Sequence, residues 1–131
     1  MRIDRRRFLE YLGAVSVMPI LASSQGVSGM YGLIVKLTVV PGRRDEMIGI
    51  LKDSAADMPG CLSYVVAKDS SDENAILVTE VWENSASHDA SLSLPSVKNA
   101  MLRGKGLISS FDKIAVTSPV WGVGLQAARA R

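Results

Sequence analysis

The sequence is poor in the residues that most often carry chemistry. Histidine occurs once, at His88, and cysteine once, at Cys61. A single cysteine excludes an intramolecular disulfide and leaves the redox compartment unreported. One histidine and one cysteine are also too few for a closed zinc site. Aromatic residues make up only 5% of the 131, so any core must be filled mainly by aliphatic side chains. There is no internal repeat and no low-complexity tract. A clustered basic face is missing as well. Four of the fifteen basic residues and two of the thirteen acidic ones lie within the first 24 positions, so the remainder carries eleven of each. That balance excludes the electrostatic footprint of a nucleic-acid-binding surface. The six methionines are dispersed, and Met47, Met58 and Met101 recur at helical core spacing. They read as core fillers rather than as converging soft ligands of a copper site.

What is present bounds the organisation. The length suits one domain with a real core and is too short for two. Residues 1–24 have the layout of a secretory signal. "DRRRF" supplies a basic start, the run from Tyr11 to Ala22 is apolar, and small residues follow. The run is too short to span a bilayer comfortably. "RRRFL" is similar to the twin-arginine export signal, with Arg5 and Arg6 as the pair and Phe8-Leu9 after it. Asp4 and Glu10 stand where Ser or Thr and Lys are usual in that signal. Ala22 and Ser24 suit cleavage before Gln25. The expectation is a protein exported to the periplasm, with no membrane attachment once the signal is removed; the alternative is an uncleaved arm or short anchor.

The rest reads as strand, helix, strand, strand, helix, strand. Met30–Gly42 is rich in β-branched residues and stops at Pro41-Gly42, as a strand does. Met47, Ile48, Leu51, Ala55 and Met58 recur at helical spacing, with Asp45 and Glu46 in the first turn and Pro59-Gly60 as the stop. "CLSYVVAKD" and "AILVTEVWE" are strands joined by "SSDEN", a turn whose side chains can bond their own backbone. Asn84 or Ser85 can cap a helix. Pro95 is acceptable only near a helix start, so Ser85–Ser110 divides into two pieces, with Leu94, Val97, Met101 and Ile108 on one stripe. "FDKIAVTSPV" is the last strand, and residues 119–131 form a loose tail.

This order is the ferredoxin-like α+β unit: a four-stranded antiparallel sheet with two helices on one face. The other face should alternate to polar residues, and it does not. Ile76, Val78, Glu80 and Trp82 share one side of their strand, yet Ala75, Leu77, Thr79 and Val81 on the other are also largely apolar. So much apolar sheet needs a cover, and a second copy of the chain in a symmetric homodimer is the economical one.

The elements "VVPGRRDEM", "MPGCLSYVVAKD" and "ILVTEVWENSASHDASLSLPSVK" together resemble the antibiotic biosynthesis monooxygenase family of dimeric α/β-barrel proteins, and most nearly its small quinol-monooxygenase-like branch. The resemblance spans residues 30–118. It rests on Pro41-Gly42, Pro59-Gly60, Tyr64 in the second strand, and Glu80-x-Trp82 closing the third. It implies a dimer with a cavity between each sheet and its helices. It also implies oxidation of a small aromatic quinol or polyketide-like substrate by O2, with no cofactor and no metal. Three positions depart from the family pattern. Ser91 stands where many members carry histidine, and Val78 stands where polyketide oxidisers carry asparagine. The first strand lacks the asparagine needed for haem degradation.

The candidate site residues follow. His88 has a side chain suited to proton transfer near neutrality, and is either the base or a solvent-facing helix residue. Ser91 shares its helix face. Trp82 and Glu80 share a strand face and either line the cavity or belong to the core. A buried Glu80 needs a partner, with Lys36, Arg103 or a dimer mate available. Tyr64 can hydrogen-bond a phenol or simply pack. The rival reading of the chain is a non-catalytic exported dimer that binds a hydrophobic or aromatic small molecule.

Overall fold

The computed structural model describes residues 29–125 and the backbone of residues 2–4. The proposed signal segment otherwise lies outside the described residues, as do residues 126–131. Among the described residues five strands are present: β1 (Arg2–Asp4), β2 (Tyr31–Val39), β3 (Cys61–Lys68), β4 (Ala75–Trp82) and β5 (Ile108–Thr117). Three helices are α1 (Arg44–Ser54), α2 (Ser85–Ser91) and α3 (Pro95–Gly104). The sheet is antiparallel throughout, in the order β1-β5-β2-β4-β3. From β2 onward this is the ferredoxin-like arrangement expected from the sequence, in which the first and third strands of the unit lie at the centre. β1 adds its three residues to the outer edge of β5, with Arg2 opposite Asp112 and Asp4 opposite Ser110.

Period-two patterning places Leu33, Val35, Leu37 and Val39 of β2 on the helix side, and all four are buried. Ile76 and Val78 continue that layer from β4, and Phe111 and Ile108 from β5. Met47 and Ile50 of α1 and Ala100 of α3 close it from above. The two long helices pack tightly because α3 ends on glycine: a Cβ on Gly104 would lie 2.8 Å from the Met47 methyl carbon.

Several boundaries differ from expectation. α1 ends at Ser54 rather than running to the Pro59-Gly60 stop. Its buried stripe is Met47, Ile50 and Ser54, and Ala55 serves as its C-cap. The second helical segment does divide in two, with Pro95 in the first turn of α3. Ile108, read as part of a helical stripe, instead opens β5; Lys105-Gly106 releases the chain from α3, and the isoleucine meets Val39 across the sheet. Among the described residues there are thus three helices, the second of the two expected segments being the one that divides. Nor is the tail loose throughout: the Leu125 N–H bonds the Gly122 carbonyl at 3.2 Å, and Leu125 is buried, while Trp121 is exposed.

The β3–β4 turn is held from two sides. Asp69 accepts from the Ser71 N–H and hydroxyl at 2.8 Å each, and Asp72 accepts from the Asn74 N–H at 2.9 Å. Arg44 of α1 reaches in and donates to the carbonyls of Asp69, Asp72 and Ala75 at 3.0–3.3 Å. Lys36 lies 3.6 Å from Asp69 and 3.7 Å from Asp72. On the face away from the helices, Val65 is 53% exposed, and Ile34, Leu77 and Val81 are only half-buried.

Candidate functional site

Cross-strand register brings the marked residues together. Tyr64 of β3 stands opposite Glu80 of β4, which stands opposite Leu33 of β2. One row further along the sheet, Trp82 faces Tyr31 and Cys61. α2 starts just past the end of β4, with the Asn84 side chain accepting from the Ser87 N–H at 2.8 Å. Gly60 lets β3 begin close beneath it. Its φ of +84° is left-handed, and a Cβ there would lie 2.6 Å from that of Ser87. On this seven-residue helix the inner face is polar. His88 and Ser91 point inward and are buried, whereas the Asp89 side chain is largely exposed.

His88 is thus not a solvent-facing residue. Its ring stands 5.2 Å from that of Tyr31 and edge-on to Trp82 at 5.5 Å. Nδ1 lies 3.3 Å from Asp89 Oδ1, and Nε2 lies 3.9 Å from Glu80 Oε2. The Trp82 indole N–H donates to that same Oε2 at 2.8 Å. Glu80 therefore finds its partners in Trp82 and His88. The cations suggested by sequence are engaged elsewhere, Lys36 at the β3–β4 turn and Arg103 with Asp53 at 3.1 Å. Ser91 donates to the His88 carbonyl at 2.6 Å, which leaves its oxygen able to accept from a ligand.

Burial sets the electrostatics. The Glu80 carboxyl is held above the usual carboxylate range because its charge is poorly solvated; the Trp82 N–H and the nearby His88 work in the opposite direction. Burial, and then the proximity of Glu80, push the Tyr64 hydroxyl upward, so it stays a proton donor at neutral pH. Cys61 is pushed up to about 11 by the same two causes.

All five residues singled out from the sequence, Tyr64, Glu80, Trp82, His88 and Ser91, line one cavity of about 130 Å³ between the sheet and the helices. The remaining wall is mostly aliphatic. The sequence reading did not place Ser54, Leu92 or Phe111 there, and Met58 and Met101 belong to the cavity wall as well as to the helix packing. Ser54 was legible only as a break in an apolar stripe. Its hydroxyl donates to the Leu51 carbonyl at 2.7 Å. Among the described residues no group of three or more His, Cys, Asp and Glu side chains is placed to hold a metal ion. None of the described helices is long and apolar enough to cross a membrane.

A ferredoxin-like protomer with a largely aliphatic cavity, partly open to the surface and carrying one acid, one imidazole and one phenol, defines an α+β protein with a candidate small-molecule site. Comparison with known proteins narrows that class. The profile of the antibiotic biosynthesis monooxygenases matches residues 30–103, and the chain belongs to that family. A crystal structure assigned to the same family, from Chloroflexus aurantiacus, is 54% identical. It covers 73% of this chain and 98% of its own, with a TM-score of 0.71. The fold is shared with SnoaB, a cofactor-independent oxygenase from Streptomyces nogalater solved in a mutant form. That likeness has 15% identity, a TM-score of 0.60, and coverage of 72% and 97%. An uncharacterised Synechocystis protein is 27% identical over 109 residues, covering 79% of this chain and 74% of its own.

Proposed function

We propose that this protein is a cofactor-independent monooxygenase that oxidises a small hydroxylated aromatic ring with O2. The observation that carries this reading is the single polar pole of an otherwise aliphatic cavity, where Glu80, His88, Tyr64 and the Trp82 N–H converge. A ligand hydroxyl has a natural seat there. The 3.9 Å between His88 Nε2 and Glu80 Oε2 is too long for a direct hydrogen bond. One oxygen at about 2.8 Å from each would bridge them. His88 then takes the phenolic proton. The raised pKa of Glu80 favours its protonated form, a donor to the resulting phenolate. The anion passes one electron to O2, and the aliphatic wall keeps the radical pair together until a C–O bond forms. The ring hydroperoxide then loses water. One oxygen atom remains as a new carbonyl in place of a ring C–H, and the other leaves as water.

An oxygen electrode tests this with chelator-treated protein and a panel of phenols and quinols. Consumption of one O2 per ring is expected, with at least a 100-fold loss of rate in His88→Ala, the usual scale of acid–base catalysis. Rates unchanged by that substitution would overturn the assignment. Binding of an aromatic ligand without oxygen consumption would favour the non-catalytic module.

Two further parts of the reading concern assembly and location. The half-buried apolar face around Ile34, Val65, Leu77 and Val81 supports a homodimer formed sheet to sheet. Light scattering that gives a monomer mass would exclude it. The twin-arginine-like start supports export to the periplasm. A mature N-terminus other than Gln25 in fractionated cells would count against the cleavage site.

A further inference from the structure

Polarity along the cavity has a direction, and the strand register makes it readable. Tyr64 and Glu80 occupy one row of the sheet, and His88 stands over it. The next row towards the β3–β4 turn presents Val78 and Val35 to the cavity, and the row beyond presents Leu37 and Phe111. Successive rows on one face are about 6.6 Å apart, twice the rise per residue. Ser54 supplies no polar group at the far end. α1 begins at the β3–β4 turn, where Arg44 is anchored, so its last residue lies over the polar pole.

We infer that the ligand of this cavity is a single-ring phenol with one hydroxyl and an apolar para substituent, a 4-alkyl- or 4-alkoxyphenol rather than a para-quinol. This rests on the cavity being the substrate site. With one oxygen bridging His88 and Glu80, the para position of the ring lies about one row away, against Val78 and Val35. A second hydroxyl there meets only aliphatic carbon and is buried without a partner. That lowers affinity by roughly tenfold or more. An alkyl carbon in the same place gains about fourfold per methylene buried. Size sets the scale: roughly 150 Å³ is enough for benzene, and this cavity is about 130 Å³, so one ring fills it and a fused polycycle would project through its open side.

The test is calorimetric titration of the full chain in anaerobic buffer with 4-ethylphenol, 4-methoxyphenol, hydroquinone and anthrone. The two para-substituted phenols are expected to bind at least tenfold more tightly than hydroquinone, and more tightly than anthrone. In Val78→Thr a hydroxyl enters the second row at nearly constant shape, and most of the preference against hydroquinone should disappear. Val35→Thr serves the same purpose if thermal unfolding shows the first variant to be misfolded. Hydroquinone or anthrone binding as tightly as 4-ethylphenol overturns the inference even if oxygen is consumed. The expected order of affinities without oxygen consumption leaves the inference standing and removes the monooxygenase assignment. No binding of any phenol overturns both.

Discussion

Trp82→Phe separates the indole N–H from the bulk that surrounds it. Trp82 is 1% exposed, and its N–H is bonded to Glu80 at 2.8 Å. Phenylalanine keeps an aromatic ring in the site but leaves a void, which costs about 1 kcal/mol at any pH by the usual dependence on cavity volume. The lost hydrogen bond adds about 1.5–3 kcal/mol when its acceptor is ionised and about 1 kcal/mol when it is neutral. The total is therefore about 2 kcal/mol with Glu80 protonated and about 2.5–4 kcal/mol with it ionised. The sign of the pH dependence follows from linkage. The folded state holds the Glu80 proton more tightly than the unfolded chain does, since burial raises its pKa. Glu80's contribution to stability is thus complete below the ordinary carboxylate range and falls as pH rises through the raised value. The Trp82 N–H opposes that shift, so its removal steepens the fall. Urea unfolding followed by far-ultraviolet circular dichroism is the suitable assay, because only the exposed Trp121 would remain as a fluorophore. The gap between the two proteins should widen by about 0.5–2 kcal/mol as pH rises through the raised Glu80 value, the difference between neutral and charged hydrogen bonds. In a Glu80→Gln background it should be flat. A gap that stays constant with Glu80 present would refute the view that this carboxyl titrates against the indole.

Two other changes probe the frame and the neighbouring thiol. Arg44→Met removes the donor to three turn carbonyls and should lower stability by about 1–2 kcal/mol in urea unfolding, whereas Asp53→Ala, which breaks an exposed pair with Arg103, should cost under about 0.5 kcal/mol. Equal losses would mean that the turn does not depend on Arg44. Cys61, pushed up to about 11, should react with an aromatic disulfide reagent at pH 8 roughly 100-fold more slowly in the folded protein than in urea, because so little of it is thiolate. Matching rates would show that the thiol is neither desolvated nor influenced by Glu80.

The sequence by itself determined the element order and which residues share a strand face, while which of two largely apolar faces meets the helices was left to the tertiary structure. Alternation in β2 and β4, the proline-glycine stops and the asparagine cap are local signals, and each acts within a few residues of where it is written. Family membership was legible for the same reason, since Glu80, Trp82 and Tyr64 lie at fixed offsets from those stops. Helix ends were less legible. A stripe such as Met47–Met58 does not reveal that Ser54 ends α1, and Ile108 suits a helix or a strand equally well.

Tertiary structure alone decided the fate of the lone histidine. α2 has no apolar stripe, so periodicity could not distinguish its buried face from its exposed one. Its orientation comes from where β4 ends and from the close approach that Gly60 permits, both set by contacts distant in sequence. The partners of Glu80 were hidden in the same way. Charge pairing pointed to Lys36 and Arg103, but the sheet turns Lys36 to the opposite face, and α3 carries Arg103 out to Asp53. The sequence names the residues; the register of three strands and the seat of one short helix bring them together around one cavity.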